Sequence, residues 1–156
     1  MTNTTTTHNR IPQAIMLCLT LCLTAACENK WPRNGHLDGQ WQLLTVEHDG
    51  HILDMKDRQL YLSFQLDLIQ LNNSGNQQRY YGYFRHTGDT IIFRQFSDIA
   101  EYDTKNDDNL PVSPRHRQWL KDWGYYADPD TFRIEQLSHN DMVLSSDSAR
   151  IVYRKF

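Results

Sequence analysis

Alternation with a period of two runs through most of this chain and fixes its fold class more tightly than any other feature. In QLYLSFQLDLIQL, residues 59 to 71, Leu60, Leu62, Phe64, Leu66 and Leu68 fall on one face, after which Ile69 and Leu71 appear on the other. A half-buried strand has this pattern, and the change of phase predicts a bulge that bends it. Before it, GQWQLLTVEH (39 to 48) reads as the first strand, Asp49-Gly50 as a two-residue hairpin turn and HILDM as the returning segment. After it, the turn Asn72-Asn73-Ser74-Gly75-Asn76 leads to QRYYGYFRH, and Thr87-Gly88-Asp89 leads to TIIFRQF. The chain closes with TFRIEQLS, the turn His139-Asn140-Asp141, MVLSS and ARIVYRKF. Gly82 in mid-strand suits a tight bend at a barrel corner. The expectation is an all-β domain, an antiparallel up-and-down barrel of seven or eight strands with one inserted α-helix.

Residues 97 to 130 interrupt the meander. SDIAEYDTKNDDNLPV is long and polar, the mark of a functional or mobile loop. It runs into one punctuated helix: Ser113 as N-cap, Pro114 at the first helical position, Gly124 after the end. The apolar face of that helix holds His116, Trp119, Leu120 and Trp123. Those indoles either plug the end or flank of the barrel as core or form a lid over a binding mouth. Arg115 and Arg117 stand in the first turn, where the helix dipole disfavours cations. The acidic run Asp98, Glu101, Asp103, Asp107 and Asp108 is expected to hold them. Binding residues concentrate on loops carried by rigid scaffolds. The excursion is therefore expected to border the open end of the barrel, opposite Trp41, with Trp119, Trp123, Tyr81 and Tyr83 as the candidate ligand or partner surface.

The first 26 residues do not belong to this domain. They carry one charge, Arg10, no acidic residue, and an apolar run from Ala14 to Leu23. A membrane-spanning helix needs about 20 apolar residues, whereas the apolar part of a secretory signal needs only about 7 to 15 and ends in small residues. Thr24-Ala25-Ala26 provides that ending, so 1 to 26 is predicted to be a signal peptide that is removed, in preference to a short anchor or a buried first helix. Cys18 and Cys22 leave with it. Cys27 is then the one cysteine kept, unable to form an internal disulfide and odd as a free thiol in an oxidising compartment. It makes sense as the lipid-bearing first residue of a bacterial lipoprotein, and Leu23-Thr24-Ala25-Ala26-Cys27 resembles the lipobox, with Thr24 where Leu is usual. Burial of acyl chains contributes about 0.8 kcal/mol per methylene, so several chains anchor firmly. Residues 27 to 36 would be the lipidated tether and 37 to 156 the barrel domain. The expected location is the outer membrane or cell envelope. Glu28 is the one acidic residue directly after Cys27, and it leaves the periplasmic and surface faces both open.

Net charge is −3 at pH 7, and loss of Arg10 makes the remainder more acidic. A basic footprint for nucleic acid is absent. The length after residue 26 suits one domain that buries roughly two-thirds of its unfolded surface.

Gly39-Gln40-Trp41 resembles the G-x-W motif that opens the first strand in the lipocalin and wider calycin superfamily. There a glycine turn feeds a tryptophan that closes the barrel end, and an arginine on the last strand packs across the indole. Arg150 and Arg154 are the two residues that could play that part here. The helix before the last three strands, the missing Thr-Asp-Tyr turn and the impossibility of a disulfide depart from the lipocalin pattern. Together with the lipobox, the chain resembles the lipocalin-like lipoproteins of Bacteroidota. The resemblance implies a cavity for a small apolar or amphiphilic ligand, although a filled core produces the same alternation.

Catalytic signatures are missing: there is no G-x-S-x-G, H-E-x-x-H or C-x-x-C. His48 and His51 flank the Asp49-Gly50 turn, with Glu47 or Asp54 as a conceivable third metal ligand, but zinc needs three or four ligands and exposed turn histidines are ordinary. Asp103 to Asp108 resembles a calcium loop only in its acidity: Asp108 stands where glycine is required and Pro114 where the bidentate glutamate belongs. Asp67, between Leu66 and Leu68, points outward on the alternation. No set of residues converges on a nucleophile or a general base, so the expectation is a protein that is not an enzyme and uses no metal or cofactor. The preferred reading is a ligand-binding envelope lipoprotein. The other is an envelope interaction module with a filled barrel, contacting a protein or glycan through the 97 to 130 excursion and Trp31.

Overall fold

The computed structural model describes residues 34 to 98 and 114 to 156. Within them lie β1 (Gly39–His48), β2 (His51–Asp54), β3 (Leu60–Gln65), β4 (Leu68–Asn73), β5 (Gln78–Thr87) and β6 (Thr90–Asp98). The helix α1 (Pro114–Leu120) and a 3-10 turn (Lys121–Trp123) precede β7 (Asp130–Leu137), β8 (Asp141–Ser145) and β9 (Arg150–Lys155). Each strand from β3 to β9 pairs with the next, and β9 returns to β1, so eight strands close an antiparallel up-and-down barrel. β2 hangs outside the ring as a hairpin extension of β1.

β1 serves three neighbours because it is long and irregular. Gly39 to Gln42 pairs with β3 and Thr45 to His48 with β2, while its other edge pairs with β9 through a bulge between Leu43 and Thr45. The bulge resets the phase, so that Trp41 and Leu43 point inward before it and Val46 after it. Asp49 and Gly50 both take positive φ, 50° and 74°, as a two-residue hairpin turn with matching twist requires.

The change of phase in residues 59 to 71 is a turn, not a bulge. Gln65 pairs with Leu68, and the two residues between them, Leu66 and Asp67, reverse the chain. Reversal sets Phe64 opposite Ile69 and Leu62 opposite Leu71, so the apolar residues of both strands share the inner face. Leu66 and Leu68, read from the sequence as members of the buried row, are exposed at the turn. Asp67 is exposed, as the alternation implied.

Inward residues of every barrel strand meet in one core. Trp41, Leu43, Leu62, Ile69, Leu71, Ile91, Phe93, Phe132, Met142, Leu144, Ile151 and Tyr153 are each 0% exposed. Burying one such side chain contributes about 1.5–3 kcal/mol, so the lumen is where the fold gets its stability. Gly82 does mark a break in the ladder, between Tyr81 and Tyr83 against β6. Its lack of a side chain makes room for Phe96, whose Cδ1 would lie 2.8 Å from a Cβ there.

Candidate functional site

The two ends of the barrel are closed differently. At the end where β1 begins, the 3-10 turn Gly35–Leu37 buries Leu37, and Gly39 takes a φ of 107° that admits the sharp turn into the strand. Trp41 enters the lumen and its Nε1 donates to the Leu37 carbonyl at 2.8 Å. The cation over the indole is Lys155, its Nζ 4.2 Å from the ring centroid. This corrects the expectation for Arg150 and Arg154. Lys155 is the direct partner of Trp41 in the β1–β9 ladder, and alternation along β9 turns Ile151, Tyr153 and Lys155 the same way. Arg150 and Arg154 therefore point outward, Arg150 to Glu135 at 2.8 Å and Arg154 to the Gln42 side chain at 2.9 Å. The Lys155 ammonium also donates to the carbonyls of His36 and Asp38. Burial holds it below the ordinary lysine range against the opposing pull of the Asp38 carboxylate. A Cβ on Gly39 would stand 3.2 Å from Lys155 Cε and Nζ, so the glycine is also what lets the lysine fold over.

The opposite end carries the helix. Leu120 and Trp123 are 3% exposed and belong to the core, while Trp119 packs against it edge-on to Tyr80, 5.9 Å between centroids. Gly124 then turns the chain inward at a φ of 80°, the left-handed conformation common after a helix. It passes so near the wall that a Cβ would lie 2.8 Å from Ile151 Cδ1 and 3.2 Å from Val46 Cγ1. Tyr125 follows into the lumen, its ring 5.1 Å from Phe93 and 5.6 Å from both Phe96 and Phe132. Its hydroxyl meets that of Tyr153 at 2.8 Å. Desolvation pushes both phenols above their ordinary value, and the Asp130 carboxylate adds to the rise at Tyr125.

Loop and rim are then fastened. Asp130 is 6% exposed, and its Oδ2 accepts from the backbone N–H of Tyr126 at 2.8 Å and of Ala127 at 3.2 Å. Burial raises its carboxyl against those lowering bonds. His48 stacks on Tyr126 with centroids 4.0 Å apart, and its Nδ1 lies 2.6 Å from the Ser148 carbonyl. Arg58 reaches Asp122 across the surface at 3.3 Å.

Of the candidate surface residues, the structure brings Trp119 and Trp123 together with Tyr80, not with Tyr81 or Tyr83. Along β5 the inward positions are Tyr80, Gly82 and Phe84, so Tyr81 and Tyr83 lie on the outer wall, where Gln70 donates to the Tyr81 hydroxyl at 3.0 Å. Tyr125, Tyr126 and Lys155 were missed; the parity of β9 could have found Lys155. His48 is committed to Tyr126 and Ser148, and among the described residues no group of three His, Cys, Asp or Glu is placed to hold a metal ion. Cys27, Trp31, Ser113, the acidic run beyond Asp98 and its possible calcium loop lie outside the described residues, as do the side chains of Asp98, Arg115 and His116.

Among the described residues, clefts open at the helix-bearing end. One of about 270 Å³ is lined by Arg117, Lys121, Tyr125, Tyr126 and Asp128 among others. Another of about 150 Å³ lies between Arg58, Tyr80, Trp119 and Asp122. Both put aromatic and charged side chains side by side.

A family model described as a lipocalin-like domain matches residues 19–156. Among solved structures, a lipocalin-like protein from Bacteroides uniformis aligns with a TM-score of 0.56 at 19% identity, over 78% of this chain and 100% of its own. An uncharacterized protein from Bacteroides eggerthii aligns with a TM-score of 0.56 at 21% identity, over 77% of this chain and 99% of its own. A protein from Burkholderia xenovorans aligns with a TM-score of 0.50 at 14% identity, over 77% of this chain and 83% of its own. No curated protein matches the chain. At these identities the structural likeness is one of fold; by the family model, which matches most of its length, the chain belongs to the lipocalin-like domain family.

Proposed function

We propose that this chain is a non-catalytic envelope lipoprotein, acylated at Cys27, whose filled barrel is a rigid scaffold that presents its helix-bearing end to a protein or glycan. One observation carries the choice over a carrier of small apolar ligands. The end opposite Trp41 is stoppered by Leu120, Trp123 and Tyr125, which stand where a ligand would have to enter. A drug-sized ligand needs a cavity of about 300 Å³ or more. Opening one would displace Tyr125 from three aromatic rings and from the Tyr153 hydroxyl. Outside the plug, Arg117, Lys121, Tyr126 and Asp128 offer the mixed aromatic and charged surface that interfaces favour.

Two measurements test this. The Cys27→Ser protein, lacking residues 1 to 26, is titrated with a fluorescent hydrophobic probe, and no saturable one-to-one binding is expected. Tight stoichiometric binding that the bulk-removing Tyr125→Ala enhances would restore the ligand-carrier reading. A photo-crosslinking residue at Lys121 should give a discrete adduct in intact envelopes, and the same residue at Thr131 should not. Equal labelling at both positions would remove the helix end as the contact surface. Lipidation is read by mass: an acylated N-terminal Cys27 is expected, and a mature protein that keeps residues 1 to 26 would refute it.

A further inference from the structure

We infer that the β3–β4 turn docks on the lipid bilayer that holds the Cys27 acyl chains, with Leu66 and Leu68 in contact with the membrane interface; the inference rests on lipidation of Cys27. Large apolar side chains are exposed at few places among the described residues, and three of them share the Trp41 end. Leu66 is 38% exposed at the turn, Leu68 37% beside it, and Phe156 75%. Phe156 is held next to β3, its N–H donating to the Gln40 carbonyl and its ring 5.0 Å from Tyr61.

The tether ends at this same place. Asn34, the first described residue, donates from Nδ2 to the Leu66 carbonyl at 2.7 Å. Asp38 pins it there by accepting from its backbone N–H at 2.9 Å and from its Nδ2 at 2.8 Å. Only ENKWPR, residues 28 to 33, separates Asn34 from Cys27. An extended chain reaches at most about 3.6 Å per residue, so the anchor lies within roughly 25 Å of Asn34. That short leash keeps the β3–β4 turn near the bilayer surface.

The choice of residue at the turn points the same way. Leu66 sits at a φ of 60°, where Asn or Gly would be relaxed and a leucine is strained. A residue that is both strained and apolar in water gives the isolated domain no benefit; against lipid its side chain is useful. Exposed charges of both signs lie at this end, Asp67 and Asp89 in the turns and Arg133 at 3.9 Å from Asp89, so a zwitterionic surface is the one tested. Docking this way turns the helix-bearing end away from the membrane, toward a partner.

The test uses the mature lipidated protein in phosphatidylethanolamine–phosphatidylcholine vesicles, with nitroxide labels on Leu66→Cys, on Leu68→Cys, and on Ile52→Cys at the other end of the barrel. Acylation leaves Cys27 without a free thiol, so each label reports one position. Labels at 66 and 68 should be several-fold less accessible to an aqueous nickel chelate, and more accessible to oxygen, than the label at 52. Transfer to detergent-free buffer is not needed as a control, because Leu66→Asn, which suits the turn, should return the Leu68→Cys label toward the aqueous value in the same vesicles. If the mass spectrum shows acylated Cys27 and the three labels are equally wet, docking is refuted while lipidation stands. An unacylated Cys27 thiol would overturn both. Protection at 66 that grows with protein density in the bilayer, and vanishes on dilution into excess lipid, would assign the patch to a second copy and refute the lipid contact.

Discussion

Replacing the Tyr125 and Tyr153 hydroxyls one at a time and then together tests whether the barrel is closed by a plug. The two rings are 1% and 0% exposed, and their oxygens are 2.8 Å apart. Tyr125→Phe strips the Tyr153 hydroxyl of its 2.8 Å partner, and Tyr153→Phe does the same to Tyr125. A buried polar group stripped of its partner costs about 1–3 kcal/mol, whereas replacing both partners by apolar groups of the same shape is nearly neutral. Each single variant should therefore lose about 2 kcal/mol and the double variant less than either, a coupling of at least about 2 kcal/mol. Urea unfolding reads this: with a slope of about 1–3 kcal/mol/M, each single change moves the midpoint by roughly 1 M and the double change by much less. The pH dependence has a definite sign. Burial raises both phenols above the ordinary value of 10.0, so the folded state keeps protons that the unfolded chain releases. Stability from these groups is whole below 10.0 and falls as pH rises through and beyond it, and the double phenylalanine variant should flatten that fall. Additive single effects, or an unchanged alkaline slope in the double variant, would mean that Tyr125 is not seated in the lumen beside Tyr153.

Trp41→Ala should cost about 3–5 kcal/mol as a large core truncation, while Arg150→Ala and Arg154→Ala, on the outer wall, stay within about 0.5 kcal/mol; thermal or urea unfolding of the three ranks them, and a large loss at Arg154 would contradict the parity of β9. Gly124→Ala meets Ile151 and Val46 as well as an unfavourable φ, whereas Gly88→Ala, at a φ of 62° with nothing within 4 Å, meets only the φ; the first should lower the unfolding midpoint clearly more than the second, and equal effects would place Gly124 away from the wall. Asp130→Ala strips the partners from the Tyr126 and Ala127 N–H groups and should cost about 1–3 kcal/mol, with faster amide exchange at those two positions; protection unchanged from the parent would refute the cap.

A period of two encodes which face a residue takes, but not where the chain reverses. Alternation in QLYLSFQLDLIQL named the inward residues of two strands, but a bulge and a two-residue turn both reverse its phase. Leu66, an unusual residue at a positive φ, hid the turn that an Asn or Gly would have announced. G-x-W located the closed end because both parts are local: a glycine for the turn and an indole two residues on. The cation over that indole is a matter of register between the first and last strands, and only the inward parity of Ile151 and Tyr153, extended by one step, leads to Lys155. Tyr81 and Tyr83 were one residue out of phase with Tyr80, whose inward direction depends on Gly82 and Phe84 sharing its face.

Whether such a barrel is hollow depends on volume, which alternation does not carry. Eight strands enclose an interior just wide enough for side chains to fill it or for one small ligand, so the outcome turns on the size of the inward residues and on what enters from the connections. Here Phe64, Phe84, Phe93, Phe96 and Phe132 come from the walls, and Tyr125 comes from a connection and completes their packing. A helix that carries an aromatic into the mouth does two things at once. It sets Tyr125 in the mouth of the lumen, and it places Arg117, Lys121 and Tyr126 on the outer side, held to the rim by Arg58–Asp122 and by the stack of His48 on Tyr126. The residues that fill the mouth of the barrel are therefore the same ones that position this outer face, and a substitution that hollows the lumen at Tyr125 should loosen that face as well.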